Sequence, residues 1–96
     1  MPSQGAASAP KFKLGQTVAT QGALAELAQD DILSALRRHA GGDWGDLCEE
    51  DKKANDSALA DEGRLFSAYH SASGVKFYVI TEWDRSYTTV LLPSEY

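Results

Sequence analysis

One cysteine, one methionine, three prolines and two histidines are all that the 96-residue chain has of these types. Each scarcity excludes something. Cys48 has no second cysteine to pair with, so an internal disulfide framework is out and the fold has to rest on its core. The histidines, His39 and His70, stand far apart, and neither an HxxxH nor a CxxC pair occurs, so the spacing of a zinc site is missing. No apolar run approaches the roughly 20 residues that a membrane-crossing helix needs. The first residues carry neither the basic start nor the apolar stretch of a secretory signal, so the expected location is cytoplasmic.

What is present is ordinary for a globular protein: 43% hydrophobic and 24% charged residues. That length and composition predict one small domain over residues 11–96. Residues 1–10, MPSQGAASAP, have no large apolar side chain beyond Met1 and are expected to form a disordered tail. Net charge is −5, unevenly spread. Between Glu26 and Glu62 eleven acidic residues face four basic ones, a net of −7, while the remainder carries +2. Phosphates repel such a block, so direct nucleic-acid binding is not expected and a basic protein surface is the better partner. Much of an acidic skin also serves only to keep a protein soluble.

The pattern along the chain predicts an α+β fold, with two to three N-terminal helices packed on a three- or four-stranded antiparallel β-meander. KFKLGQTVAT reads as an edge strand or docked extended segment. Thr20 is placed to cap a short helix over QGALAELAQ. DDILSALRRHAGG has acids at its start and Arg37, Arg38 and His39 in its last turn before two glycines, the charge order that suits a helix dipole. Asp46 followed by Glu49 has the spacing of a capping box, predicting a third helix that stops at Gly63. Its apolar face, Leu47, Ala54, Ala58 and Leu59, is thin, and Cys48 is expected to lie against the core. The last third switches to strand spacing. RLFSAYH, VKFYVITE and SYTTVLLP predict the meander, with Val75, Phe77, Val79 and Thr81 on one face of its middle strand.

Two stretches concentrate polar chemistry. HAGGDWGDLCEED, residues 39–51, holds one histidine, five carboxylates and Trp44. Its spacing matches neither a zinc nor a calcium site, so no metal or cofactor is expected. Asp43, Trp44, Asp46, Glu49, Glu50 and Asp51 are instead candidate binding residues, although Gly45 would equally let the backbone fold Trp44 over the core. TEWDRSYTT, residues 81–89, falls around a strand turn. Trp83 there is a candidate contact, since large aromatics dominate interface energetics. With His39 or His70 nearby, the same stretch offers the parts of a phosphodiester-cleaving site: Glu82 or the histidine to take the 2′-hydroxyl proton, Arg85 to stabilise the charged phosphorane, and Thr88 beside them. The simpler reading gives Asp84 and Ser86 to the turn and Arg85 to an ion pair.

FKLGQTVATQGAL, HAGGDWGDLCEEDKKANDSAL and GRLFSAYHSASGVKFYVITEWDRSYTTVLLPSEY together resemble a widespread family of short bacterial proteins carried on plasmids, phages and other mobile elements, some labelled plasmid-related protein or restriction-system subunit. The resemblance spans about residues 12–96. Relatives often have proline where Gln21 stands and alanine where Trp83 stands. It implies a mobile-element protein acting on a host-defence component, restriction or CRISPR, or on plasmid maintenance. Charge then points to a non-enzymatic protein that binds a basic partner surface. The alternative is a ribonuclease toxin similar to the barnase and RelE types, in which helices precede an antiparallel meander.

Overall fold

The computed structural model describes residues 9–96, so the expected tail lies outside the described residues except for Ala9 and Pro10, which are exposed. The chain is α+β. Its elements are β1 (Gln16–Ala19), α1 (Gln21–Glu26), α2 (Gln29–Ala40), α3 (Glu49–Asp61), β2 (Leu65–His70), β3 (Lys76–Thr81) and β4 (Tyr87–Leu91), followed by a 3-10 turn at Pro93–Glu95. No described helix is long and apolar enough to cross a membrane.

The expected meander is present as β2, β3 and β4, each antiparallel to the next. The sheet as a whole is mixed, however, because β1 joins the far side of β4 in parallel, giving the order β1-β4-β3-β2. Gly15 makes that join possible. It has φ +67°, and a Cβ there would lie 2.4 Å from the carbonyl oxygens of Arg85 and Ser86, so only glycine lets the chain hug the start of β4.

Strand alternation sorts the side chains. Tyr69, Phe77, Val79 and Val90 meet Ala23, Leu27 and Ala35 in the buried cluster, with Ile32 and Leu36 packed at its margin. Thr20 caps α1 as expected, accepting from the Ala23 amide at 3.2 Å. Glu95 reinforces this start from the other end of the chain. Its carboxylate accepts from the Thr20 hydroxyl and from the Gly22 and Leu92 amides, which together hold it below the usual carboxylate range, Thr20 contributing most.

The third helix corrects two expectations. Its N-cap is Cys48, with no side-chain cap bond, rather than Asp46 with Glu49. The Asp46 amide donates to the Ala68 carbonyl at 2.7 Å, which keeps the chain extended along β2 past the position where a capping box would form. Cys48 consequently points outward and is exposed instead of lying against the core. At the far end the helix stops before Gly63 as expected, with Glu62 at φ +56° making the left-handed turn. Gly63 is needed for closeness, since a Cβ on it would come 2.9 Å from that of Ala58.

Candidate functional site

A chain of buried hydrogen bonds runs through the helix side of the sheet. His39, in the last turn of α2, is fully buried, its Nδ1 2.5 Å from Ser67 Oγ and its Nε2 2.9 Å from Thr81 Oγ1. Thr81 lies 2.6 Å from Thr88, whose hydroxyl donates to the Leu14 carbonyl at 2.7 Å. That carbonyl can only accept, so it fixes every proton upstream. Thr88 donates to Leu14, Thr81 donates to Thr88, His39 donates from Nε2 to Thr81, and Ser67 donates to Nδ1. The imidazole is therefore the neutral Nε2–H tautomer, with both nitrogens engaged.

Rings close over it. Phe12 and Trp44 approach the imidazole edge-on, with centroids 5.3 and 5.6 Å away. Phe12 is carried there by the segment from Lys11, whose amide donates to Ala40 at the end of α2. Burial, with the positive charge of Arg85 adding to it, lowers the His39 pKa to about 3. At neutral pH the ring is uncharged and shielded from solvent.

The four residues of the ribonuclease reading do not share a cleft. His39 and Thr88 belong to the buried chain. Glu82 follows Thr81 and so projects to the opposite face, where it lines a groove with Arg64, Tyr87 and Thr89. Arg85 is a helix cap. Its Nη1 donates to the Gly63, Glu82 and Trp83 carbonyls at 2.6, 3.1 and 3.1 Å, and its Nη2 donates to Ala58 at 3.1 Å. The last turn of α3 has no basic residue of its own, so Arg85 supplies the cation that the negative end of the helix favours. These bonds offset the left-handed backbone of Arg85, φ +61°.

The binding candidates separate as well. Trp44 is core, 3% exposed, its indole N–H donating to Asp56 at 3.0 Å. Its backbone explains the position. Gly45, at φ +77°, forms a bridge to Ala68 so close that a Cβ would lie 2.0 Å from the Ala68 oxygen. Asp43 accepts from Arg38 at 2.8 Å, and that bond, more than any other cause, lowers its pKa. Asp46 meets His70 at 2.7 Å, and Glu49 lies 3.6 Å from Lys52. Glu50 and Asp51 remain exposed on the first turn of α3, with no ion pair among the described residues. Trp83 is 62% exposed on the β3–β4 turn. It sits by the C-terminal end of α3, to which Arg85 ties that turn, about 18–20 Å from the acidic end by helix rise.

Beside Glu50 and Asp51 opens a groove of about 300 Å³ lined by Leu47, Asp51, Ala54, Arg64, Phe66 and Tyr96. Phe66 and Tyr96 form its aromatic wall, with ring centroids 5.7 Å apart, and Tyr78 packs against both at 4.7 and 5.8 Å. Among the described residues no group of three or more His, Cys, Asp or Glu is placed to hold a metal ion. No family model, curated protein or solved structure matches the chain.

Sequence reasoning missed Ser67, Thr81 and Asn55. Ser67 and Thr81 were legible in one respect: both fall on the inward parity of their strands, where a small hydroxyl among apolar neighbours needs a partner. Asn55 gave no comparable signal. It is the one fully buried residue of α3, donating to the Phe66 carbonyl at 2.7 Å and accepting from the Phe66 amide at 3.1 Å.

Proposed function

We propose that the chain is a non-catalytic binding protein that docks the acidic start of α3 on a basic protein surface. The observation that carries this reading is the pairing of Glu50 and Asp51, exposed and outside the ion pairs that engage Asp43, Asp46 and Glu49, with the adjoining groove. A lysine or arginine from a partner would set its charged end at Asp51 and lay its apolar stem against Phe66 and Tyr96, the arrangement such amphipathic side chains favour. The placing of His39 and Arg85 supports the same reading, since both are committed to bonds that build the fold. A target among host-defence or plasmid-maintenance proteins follows from the resemblance to mobile-element proteins.

Affinity capture from host extract tests this, comparing the native chain with the double variant Glu50→Gln, Asp51→Asn. The expected result is a basic protein held at low salt, released as salt screens the contact, and bound about tenfold more weakly by the variant. Undiminished capture of the same protein by the variant would remove the acidic turn from the interface.

A further inference from the structure

Among the described residues, no strand pairs with the outer side of β1, the edge of the sheet opposite α3. The amides of Gln16 and Thr20 donate across to Ser86 and Val90 beside β4, at 3.1 and 3.0 Å. By strand alternation the N–H and C=O groups of Thr17 and Ala19 therefore point away from the sheet. Strand β1 is short, four residues, but lacks the other usual protections of an edge. It has no proline and no charged residue, and its first three residues are exposed. Beside it three large apolar side chains reach solvent, Val18 at 38%, Leu24 at 64% and Leu33 at 48%. On the helix side of the sheet a groove of about 380 Å³ is lined by Thr17, Ala19, Leu27, Gln29, Ile32 and Leu36 with Leu24 and Leu33, while Val18, paired with Thr89, lies on the opposite face. A continuous apolar surface next to unpaired strand groups is a protein-binding feature.

We infer that this edge pairs with β1 of a second copy of the chain, antiparallel about a two-fold axis through Val18. The outward groups are self-complementary. In that register Thr17 of one protomer lies opposite Ala19 of its partner and exchanges both backbone bonds with it, while the two Val18 residues face each other on the axis. Charge permits a second copy at this edge, and the groove rim favours one. A protein of net charge −5 repels itself over most of its surface, and no ionisable side chain lines this groove. At its rim, exposed Asp30 and Arg37 stand about one turn either side of Leu33 on α2. A two-fold axis normal to the sheet reverses that helix, setting the Asp30 end of one protomer toward the Arg37 end of its partner. Dimerisation would join two four-stranded sheets into one and leave both α3 helices on the outer edges. The inference stands independently of the acidic docking surface.

Cysteine cross-linking in a Cys48→Ser background tests the register. Facing residues at a non-hydrogen-bonded antiparallel pair have Cα atoms about 4.5 Å apart, inside the disulfide range. The two Thr17 positions would be roughly 8 Å or more apart, outside it. Val18→Cys is expected to oxidise to a covalent dimer about tenfold faster than Thr17→Cys at the same concentration. Because Val18 is exposed, Val18→Lys should keep the fold and reduce the mass in solution from twice 10.4 kDa to 10.4 kDa. Equal cross-linking rates at the two positions, or a native chain that stays monomeric at millimolar concentration, would overturn the inference. Dimers unaffected by Val18→Lys would place self-association on another surface and overturn it equally.

Discussion

The two edges of the sheet are built on opposite plans. Along β2 the outward backbone groups near its middle all have partners: Asn55 takes both the amide and the carbonyl of Phe66, Trp44 accepts from the Ala68 amide, and Asp46 donates to the Ala68 carbonyl. Along β1 the corresponding groups of Thr17 and Ala19 face solvent beside exposed leucines. The sealed edge is where the acidic block lies, and most of the carboxylates near it have work to do there. Asp43 and Asp46 hold Arg38 and His70, and Asp56 receives the Trp44 indole. The comparison shows that charge density in the sequence is a poor guide to free charge on the surface. Of the acidic residues between 43 and 51, only Glu50 and Asp51 have no ion pair among the described residues.

The strongest way to break the contrast is at Gly45. Alanine there meets the Ala68 oxygen and a left-handed backbone at once, and should cost about 3 kcal/mol or more of folding stability by denaturant titration. Asn55→Ala comes next. It leaves the Phe66 amide and carbonyl without partners and should cost about 2–3 kcal/mol, with faster amide exchange confined to β2.

Acid should weaken the sealed side more gradually. The folded pKa of His39, about 3, is depressed below its ordinary 6.5, so below pH 6.5 the unfolded chain takes up a proton that the folded chain refuses. The contribution is fully present above pH 6.5 and is lost toward pH 3, at up to about 1.4 kcal/mol per pH unit. His39→Gln sharpens this prediction, because an amide can accept from Ser67 and donate to Thr81 without titrating. Stability curves of the two proteins against pH should differ in slope by one proton across that window. Parallel curves would mean that His39 is not the neutral, buried group described.

Elements governed by neighbours in sequence were legible before the structure. Thr20 bonds an amide three residues away, Asp30 and Asp31 with Arg37 to His39 bracket one helix, and Val75, Phe77, Val79 and Thr81 follow strand alternation. What stayed hidden depends on distant partners. Nothing near Gln16 announces that it will lie parallel to Tyr87, because that pairing rests on Leu14 reaching Thr88 and on Gly15 fitting against Arg85. The capping box at Asp46 failed because a strand edge claimed its amide. Arg85 looked available for catalysis or an ion pair because its four acceptor carbonyls, two of them from backbone more than 20 residues away, leave no mark in composition.

Amide hydrogen exchange of the intact chain at a low and a high protein concentration tests the difference between the edges most directly. The amides of Phe66 and Ala68 should be protected equally at both concentrations, and those of Thr17 and Ala19 should exchange fast when dilute and slow down when concentrated. Thr17 and Ala19 amides whose rates ignore concentration, or Phe66 and Ala68 amides that exchange as fast as a surface turn, would contradict it.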